Sequence, residues 1–104
     1  MIAMALVCAV WAADSKRGEA IYGSNCVACH GLAGDGKGPA AAALRPAPTD
    51  LRSSEWWRGK TDEQVAGLVR DGKAGTSMVA FPKLTADEMV DLVAYLHALA
   101  ETKR

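Results

Sequence analysis

Apolar residues recur with helical spacing in two segments of the second half of the chain. In the first, Val65, Leu68 and Val69 stand three and one residues apart, which places them on one face of a helix. Residues 61–64, Thr-Asp-Glu-Gln, form a capping box, in which the first and fourth residues exchange hydrogen bonds with each other's backbone N–H groups. The pattern predicts a helix that begins at this box and ends at Gly72.

The second helical segment lies near the end of the chain and begins at another capping box, Thr-Ala-Asp-Glu at residues 85–88. Leu84 and Met89 flank the box at the two positions of a hydrophobic staple. Further apolar side chains share one helix face, namely Met89, Leu92, Val93, Leu96 and Ala100. We therefore predict a helix that runs nearly to the last residue.

The first half of the chain contains one predicted helix and a long irregular stretch. Residues 15–25 have helical character and follow the capping residues Asp14 and Ser15. Gly and Pro are frequent over residues 31–57, where only residues 40–44, behind Pro39, have helical character. Since no run alternates with period two, the predicted fold class is all-α. An irregular stretch of this length inside a compact domain indicates disorder or function.

Residues 1–13 are apolar at every position, and all charges lie from Asp14 onward. This segment is shorter than the roughly 20 residues that a transmembrane helix needs. Its length suits the apolar part of a secretory signal, and residues 10–12, Val-Trp-Ala, offer a small residue for cleavage, although no Lys or Arg precedes Lys16. We expect a signal peptide, or the remnant of one, over residues 1–13 and a single domain over residues 14–104. The alternative is an uncleaved apolar N-terminus packed on the domain.

One of the three cysteines, Cys8, falls inside this leading segment. Lipid anchoring through Cys8 is disfavoured by the bulky Val7 before it. Export would carry the other two cysteines into an oxidising compartment.

Charge and length exclude several classes of protein. The chain has 12 Lys and Arg against 12 Asp and Glu, so it has no basic surface typical of nucleic-acid binding and no polybasic tail for lipid. Its 104 residues exclude a two-domain enzyme. Many of its apolar residues are alanine, so large side chains alone supply little interior for so small a domain. We expect something other than side chains to complete the core.

The segment Cys26-Val27-Ala28-Cys29-His30 supplies the chemistry. Cys-x-x-Cys-His is the attachment signature of a c-type haem. On a helical turn, two sulfurs at this spacing reach the two vinyl groups of the porphyrin, and the histidine offers one ring nitrogen to iron while a hydrogen bond holds the other. Two other sites share the cysteine spacing. A thioredoxin-like pair expects a preceding strand, and a zinc site needs ligands that His97 alone does not complete.

Around this motif the chain resembles the class I c-type cytochromes and is most similar to small exported bacterial members and to cytochrome subunits of periplasmic oxidoreductases. The resemblance extends from about Lys16 to Leu99. It is carried by three segments: Gly18-Glu19-Ala20-Ile21-Tyr22, Cys26 to Gly31, and Gly34-x-Gly36-x-Gly38-Pro39. It implies the cytochrome c fold, in which terminal helices pack together and shorter helices and loops wrap around one covalent haem c. In that fold Gly18 lets the first helix cross the last closely, with Tyr22 and Tyr95 near the crossing.

The resemblance also implies an axial methionine between the third helix and the last. Met78 lies there, in a glycine-bounded segment, whereas Met89 belongs to the apolar face of a helix. Val79 follows Met78, where many members of the family have proline, which leaves this loop less constrained. The only rival nitrogen ligand, His97, lies on the flank of the last helix and is expected to be solvated.

Four further residues are expected near the haem. The carbonyl at or just before Pro39 is expected to accept the hydrogen bond of the second His30 ring nitrogen, as a proline in this region does in the family. Trp56, Trp57 and Arg58 carry N–H donors for the haem propionates. Partial filling of the core is the alternative role of the two tryptophans.

No independent catalytic constellation accompanies the haem motif, so the chain is expected to be an electron carrier rather than an enzyme. With both axial positions filled, the expected function is single-electron transfer between a protein donor and a protein acceptor in the periplasm, by a monomer or by a subunit of a larger oxidoreductase. A five-coordinate gas sensor or peroxidase-like protein is a third alternative. Residues 37–83 hold eight Lys and Arg against five Asp and Glu, which indicates a weakly basic docking surface.

Overall fold

The computed structural model describes residues 13–103, in which every regular element is a helix and no β-strand is present. The predicted all-α class is therefore confirmed. Cys8 and the proposed leader lie outside the described residues, except for the exposed Ala13. The helices are α1 (Ser15–Asn25), α2 (Val27–His30), a 3-10 helix (Ala41–Ala43), α3 (Ser54–Trp57), α4 (Asp62–Asp71) and α5 (Ala86–Glu101).

Three helices, α1, α4 and α5, begin at the capping residues that the sequence predicts. The Asp14 side chain accepts hydrogen bonds from the backbone N–H groups of Lys16 and Arg17 at the start of α1. Thr61 and Thr85 both form complete capping boxes, at α4 and α5 respectively. Each box satisfies two backbone donors that the first turn of a helix leaves without partners.

α1 and α5 cross with their backbones almost in contact. A Cβ atom built on Gly18 would lie 2.0 Å from the carbonyl oxygen of Asp91 and 2.8 Å from the Cβ of Tyr95. Beside this point the rings of Tyr22 and Tyr95 pack with their centroids 5.3 Å apart. The crossing is thus built on a glycine and two tyrosines, as expected from the resemblance.

A buried carboxylate fastens the start of α1 to α5. Asp91 is 2% exposed, and its side chain accepts hydrogen bonds from the backbone N–H of Asp14 at 2.8 Å and from the Arg17 Nε at 3.0 Å. A buried carboxylate needs such partners because it has lost its hydration. The residue that caps α1 is therefore also bonded to the last helix.

The hydrophobic core lies where α4 and α5 meet the loops that follow α2. α5 contributes the predicted face, with Leu99 buried in addition and Ala100 only half-buried. Leu84, at the staple position, packs against this core. The buried apolar residues are Tyr22, Leu51, Val65, Val69, Met89, Leu92, Val93, Leu96 and Leu99.

The middle of the chain is irregular, with two short helices inside it. The helical character predicted at residues 40–44 is present as the 3-10 helix. α3 is an additional element, which begins where the Ser53 side chain accepts a hydrogen bond from the Trp56 N–H. Gly38 lets this stretch lie against α2, because a Cβ there would come within 2.4 Å of the carbonyl oxygens of Val27 and Ala28. Within residues 13–103, no helix combines the length and the apolar character needed to cross a membrane.

Candidate functional site

The structure brings the four residues proposed to hold the haem and its iron to one cleft of about 440 Å³. Cys26, Cys29 and His30 reach it from the end of α1 and from α2, and Met78 reaches it from the loop between α4 and α5. These two regions are far apart in the sequence. The cleft therefore collects sulfur and imidazole groups from two separate regions of the chain.

The cysteine motif adopts a single helical turn. Cys26 is the N-cap of α2, and Cys29 and His30 are its last two residues. Both thiols are half-buried and free of a disulfide. Burial, together with the neighbouring Cys29, raises the pKa of Cys26 to about 11. A thioredoxin-like cysteine has a lowered pKa and follows a strand. Within residues 13–103 no strand precedes the pair, so the structure argues against that alternative.

His30 is oriented by the backbone of a distant loop. Its Nδ1 lies 3.0 Å from the carbonyl oxygen of Thr49, so with a proton on Nδ1 the other nitrogen keeps its lone pair for a metal. The expectation that a carbonyl at or just before Pro39 would be this acceptor is wrong. Pro39 is exposed, and its neighbours Gly38 and Ala40 face α2 with backbone N–H groups that donate to carbonyl oxygens.

The Met78 loop is fastened by backbone hydrogen bonds although no proline follows the methionine. The Lys73 N–H donates to the Met78 carbonyl at 3.3 Å, and the Met78 N–H donates to the Thr76 Oγ1 at 3.1 Å. Beyond it, the Phe81 N–H donates to the Val69 carbonyl in α4 at 2.9 Å. These bonds hold the half-buried Met78 at the wall of the cleft.

The rival nitrogen ligand, His97, does not line this cleft. It is exposed, with its Nε2 2.6 Å from the Asp62 Oδ1 and its ring centroid 4.4 Å from that of Trp57. The histidine joins α5 to the first turn of α4. It lies at the surface, as the sequence analysis expected.

The three residues proposed to contact the propionates have different positions. Trp56 lines the cleft. The Trp57 indole N–H instead donates to the Leu51 carbonyl at 2.8 Å, and this side chain packs against the core. Arg58 is exposed and borders a separate, shallow concavity. Lys60, which the sequence analysis did not single out, lines the cleft with Trp56.

The remaining wall of the cleft is mostly apolar. Its apolar residues include Leu44, Pro46, Pro48, Leu51, Val65, Leu68, Val69, Phe81, Leu92 and Leu96. Apolar walls with a few placed polar groups are typical of cofactor sites of this size. Two thiols, an imidazole and a thioether in such a cleft fit a covalently attached haem. Residues 13–103 contain no group of three or more His, Cys, Asp and Glu arranged to hold a metal ion, as a zinc site would require.

Comparison with known proteins gives matches over most of the chain. Residues 13–96 match the profile of the family described as "Cytochrome C oxidase, cbb3-type, subunit III". Cytochrome c6 of Cyanidioschyzon merolae is 34% identical over 93 residues, which cover 88% of this chain and 81% of that protein.

Two longer relatives match over a part of their length. The cbb3-type cytochrome c oxidase subunit FixP of Bradyrhizobium diazoefficiens is 28% identical over 90 residues, 86% of this chain and 29% of that protein. Subunit CcoP of Azospirillum brasilense is 29% identical over 93 residues, 88% of this chain and 30% of that protein. The chain thus spans less than a third of either subunit.

A solved structure supports the fold. A chain of the reducing HAO-like protein complex of Kuenenia stuttgartiensis superposes with a TM-score of 0.73 at 21% identity. The match covers 90% of this chain and 46% of that one. The helical arrangement described above is therefore shared with this larger chain.

Proposed function

Because the chain belongs to the c-type cytochrome family described as cytochrome c oxidase, cbb3-type, subunit III, whose members bind haem c covalently, we propose that it transfers single electrons between protein partners. Cys26 and Cys29 would form the two thioether bonds, and His30 and Met78 would be the axial ligands. The observation that carries this proposal is the meeting of the Cys-x-x-Cys-His turn and Met78 at one apolar cleft.

Each of these residues has a defined task in the proposed site. When bound, the haem supplies an iron that gains or loses one electron. The Thr49 carbonyl holds the His30 ring by its Nδ1, which fixes the orientation of Nε2 and raises its basicity. As a ligand, the soft Met78 thioether would favour ferrous iron and so raise the reduction potential. The apolar wall excludes water, which also tunes the potential.

With His30 and Met78 both bound to the iron, no substrate would reach the metal, which favours electron transfer over chemistry there. The hydrogen bonds that fasten residues 73, 78 and 81 keep Met78 at the cleft. This arrangement disfavours the five-coordinate sensor or peroxidase-like alternative, in which Met78 would have to move away.

We further propose that the domain at residues 14–104 acts after export to the periplasm and that residues 1–13 are its leader. The support is the apolar composition of that segment, its length, which suits a secretory signal, and its small residue at the cleavage position.

A haem-carrying subunit of a larger oxidoreductase is the second candidate function. It is favoured by the oxidase subunits among the relatives, whereas the 81% coverage of a cytochrome c6 favours a free carrier. Affinity purification of the full chain from its native membranes and periplasm separates the two: a subunit co-purifies in stoichiometric amounts with an oxidoreductase, and a free carrier elutes at the size of a monomer.

The axial ligation is tested by absorption spectroscopy of the haem-loaded protein. We expect the oxidised protein to show the weak iron–sulfur charge-transfer band near the red end of the spectrum. Met78→Ala should abolish the band and let the reduced protein bind carbon monoxide. Met89→Leu is the matched control, because Met89 belongs to the core and the exchange conserves its volume. Absence of the band in the unmodified protein, or its persistence in M78A, would refute ligation by Met78.

A further inference from the structure

We propose that the Lys60 ammonium holds a propionate of the haem, a contact that the sequence suggested for Trp56, Trp57 and Arg58. The inference rests on the proposed function, because it requires haem in the cleft. It assigns a specific cation of this chain to a carboxylate of the cofactor.

The position of Lys60 is set by Trp56. The Lys60 Nζ donates a hydrogen bond to the Trp56 carbonyl at 2.5 Å and lies 4.5 Å from the centroid of the Trp56 ring. Both residues line the cleft, and the lysine is half-buried. A cation over an indole face is attracted by the ring quadrupole. The ammonium is thereby held beside Trp56, a residue of the cleft wall.

The lysine side chains that line the cleft give it positive charge, which favours the binding of an anion. Two charged residues, Lys60 and Lys73, line the cleft. The described lining includes neither Asp nor Glu, so it contains no carboxylate. Among the ion pairs of residues 13–103, none includes Lys60. A half-buried ammonium beside apolar walls is stabilised when an anion pairs with it. The two propionates are carboxylates that the haem would bring into this cleft.

The other donors are less suited to this role. The Trp57 N–H is bonded to the Leu51 carbonyl. Arg58 borders the separate concavity and not the cleft, whereas Lys60 borders both. Lys73 also lines the cleft but is exposed, where solvent screens its charge. Lys60 combines partial burial, a fixed position and the absence of a carboxylate partner within the described residues.

Redox titration of haem-loaded variants tests the assignment. Lys60→Gln removes the charge, Lys60→Arg retains it, and Lys83→Gln is the control because Lys83 is exposed and outside the cleft. A nearby positive charge favours the reduced haem. K60Q should therefore raise the ferric-to-ferrous ratio at a fixed potential by about three- to tenfold. A tenfold change corresponds to about 59 mV for one electron. K60R should keep the original ratio, and K83Q should change it less than twofold.

Resonance Raman spectroscopy supplies a second readout, since the bending mode of the propionates reports their hydrogen bonding. We expect this mode to shift in K60Q and to return in K60R. A K60Q protein that matches K83Q in potential and leaves the mode unchanged would overturn the assignment. So would equal shifts in K60Q and K60R, which would indicate packing rather than charge.

The same samples separate this inference from the proposed function. Covalent haem and the iron–sulfur band in the unmodified protein bear on the proposed function alone. If both are present and K60Q behaves as the control, only the role of Lys60 fails. If neither is present in the unmodified protein, the proposed function itself fails.

Discussion

At the crossing of α1 and α5, backbone meets backbone with no room for a side chain at Gly18, whereas the neighbouring face of α5 borders a cleft of about 440 Å³. Asp91 and Tyr95 lie at the crossing. Leu92 and Leu96, each one residue further along, line the cleft. A single helix thus packs directly against another helix on one face and forms the wall of a cofactor site on the next.

The comparison shows two ways of stabilising a small domain. The crossing depends on close packing and on the buried Asp91 with its donors. The cleft depends on hydrogen bonds that anchor loops, such as Thr49 to His30 and Leu51 to Trp57. A larger side chain at the crossing should therefore destabilise the protein by steric overlap. A substitution at the cleft should do so by removing a hydrogen bond that holds a loop in place.

The largest expected effect is at the crossing. Gly18→Val places atoms within 2.0 Å of the Asp91 carbonyl oxygen and 2.6 Å of its carbon, and these backbone atoms cannot move without separating the helices. We expect the haem-loaded variant to lose about 4 kcal/mol or more of unfolding free energy. Urea denaturation followed by far-ultraviolet circular dichroism measures the loss.

Gly23 provides the matched control on the same helix. A Cβ at Gly23 meets nothing within 4 Å, so Gly23→Ala should stabilise the protein by about 0.5–1 kcal/mol through helix propensity. Similar losses in the Gly18 and Gly23 variants would contradict the close crossing.

A smaller effect is expected where the crossing joins the cysteine turn. The Tyr22 hydroxyl is buried and donates to the Gly31 carbonyl at 2.6 Å, directly after His30. Tyr22→Phe removes this bond, while the Gly31 carbonyl keeps the Gly34 N–H as a partner at 3.1 Å. We therefore expect a loss of about 1 kcal/mol. Tyr95→Phe changes the neighbouring, half-buried ring and should cost less than half as much in the same denaturation experiment. An equal cost for both would mean that the Gly31 bond contributes little.

The smallest effect concerns Asp50, beside the Thr49 carbonyl. The Arg52 side chain, by its hydrogen bond, and Lys103 lower the pKa of Asp50. Since its folded pKa is lower than its unfolded pKa of about 3.9, the carboxylate contributes stability above that pH and loses it as the pH falls through the folded pKa.

Asp50→Asn should therefore cost about 0.5 kcal/mol at pH 7, a small value because the pair is partly solvated. The difference from the unmodified protein should vanish toward pH 2. Urea denaturation at both pH values measures it. Asp71→Asn, at the exposed pair with Arg70, is the control, and a cost of D50N that grows on acidification would contradict the sign.

Local signals predicted the helices well. The capping residues Asp14, Thr61 and Thr85 act through hydrogen bonds to residues two or three positions away, so their role is visible in a short stretch of sequence. α3 escaped prediction because four residues are too few for a periodic pattern. The sequence signal for α3 was its N-cap residue Ser53, which stands three positions before Trp56 and accepts a hydrogen bond from the Trp56 N–H.

The cleft was less predictable because its contacts depend on the path of long loops. The motif itself located His30, but no local pattern relates it to Thr49, which is 19 residues away. The residues that end α3 are adjacent in the sequence yet point to different surroundings. Trp56 faces the cleft, Trp57 the core and Arg58 a separate concavity.

The bond between Asp14 and Asp91 has a consequence for the course of folding. It joins residues 77 positions apart, and closing a loop of that length costs about 4 kcal/mol of chain entropy before a length-independent constant is added. Contacts of such separation slow folding. The crossing can form only when both chain segments are present. During synthesis, α1 must therefore wait until nearly the entire domain has emerged. Until then the turn at residues 26–30 lacks the packing that the crossing provides beside it.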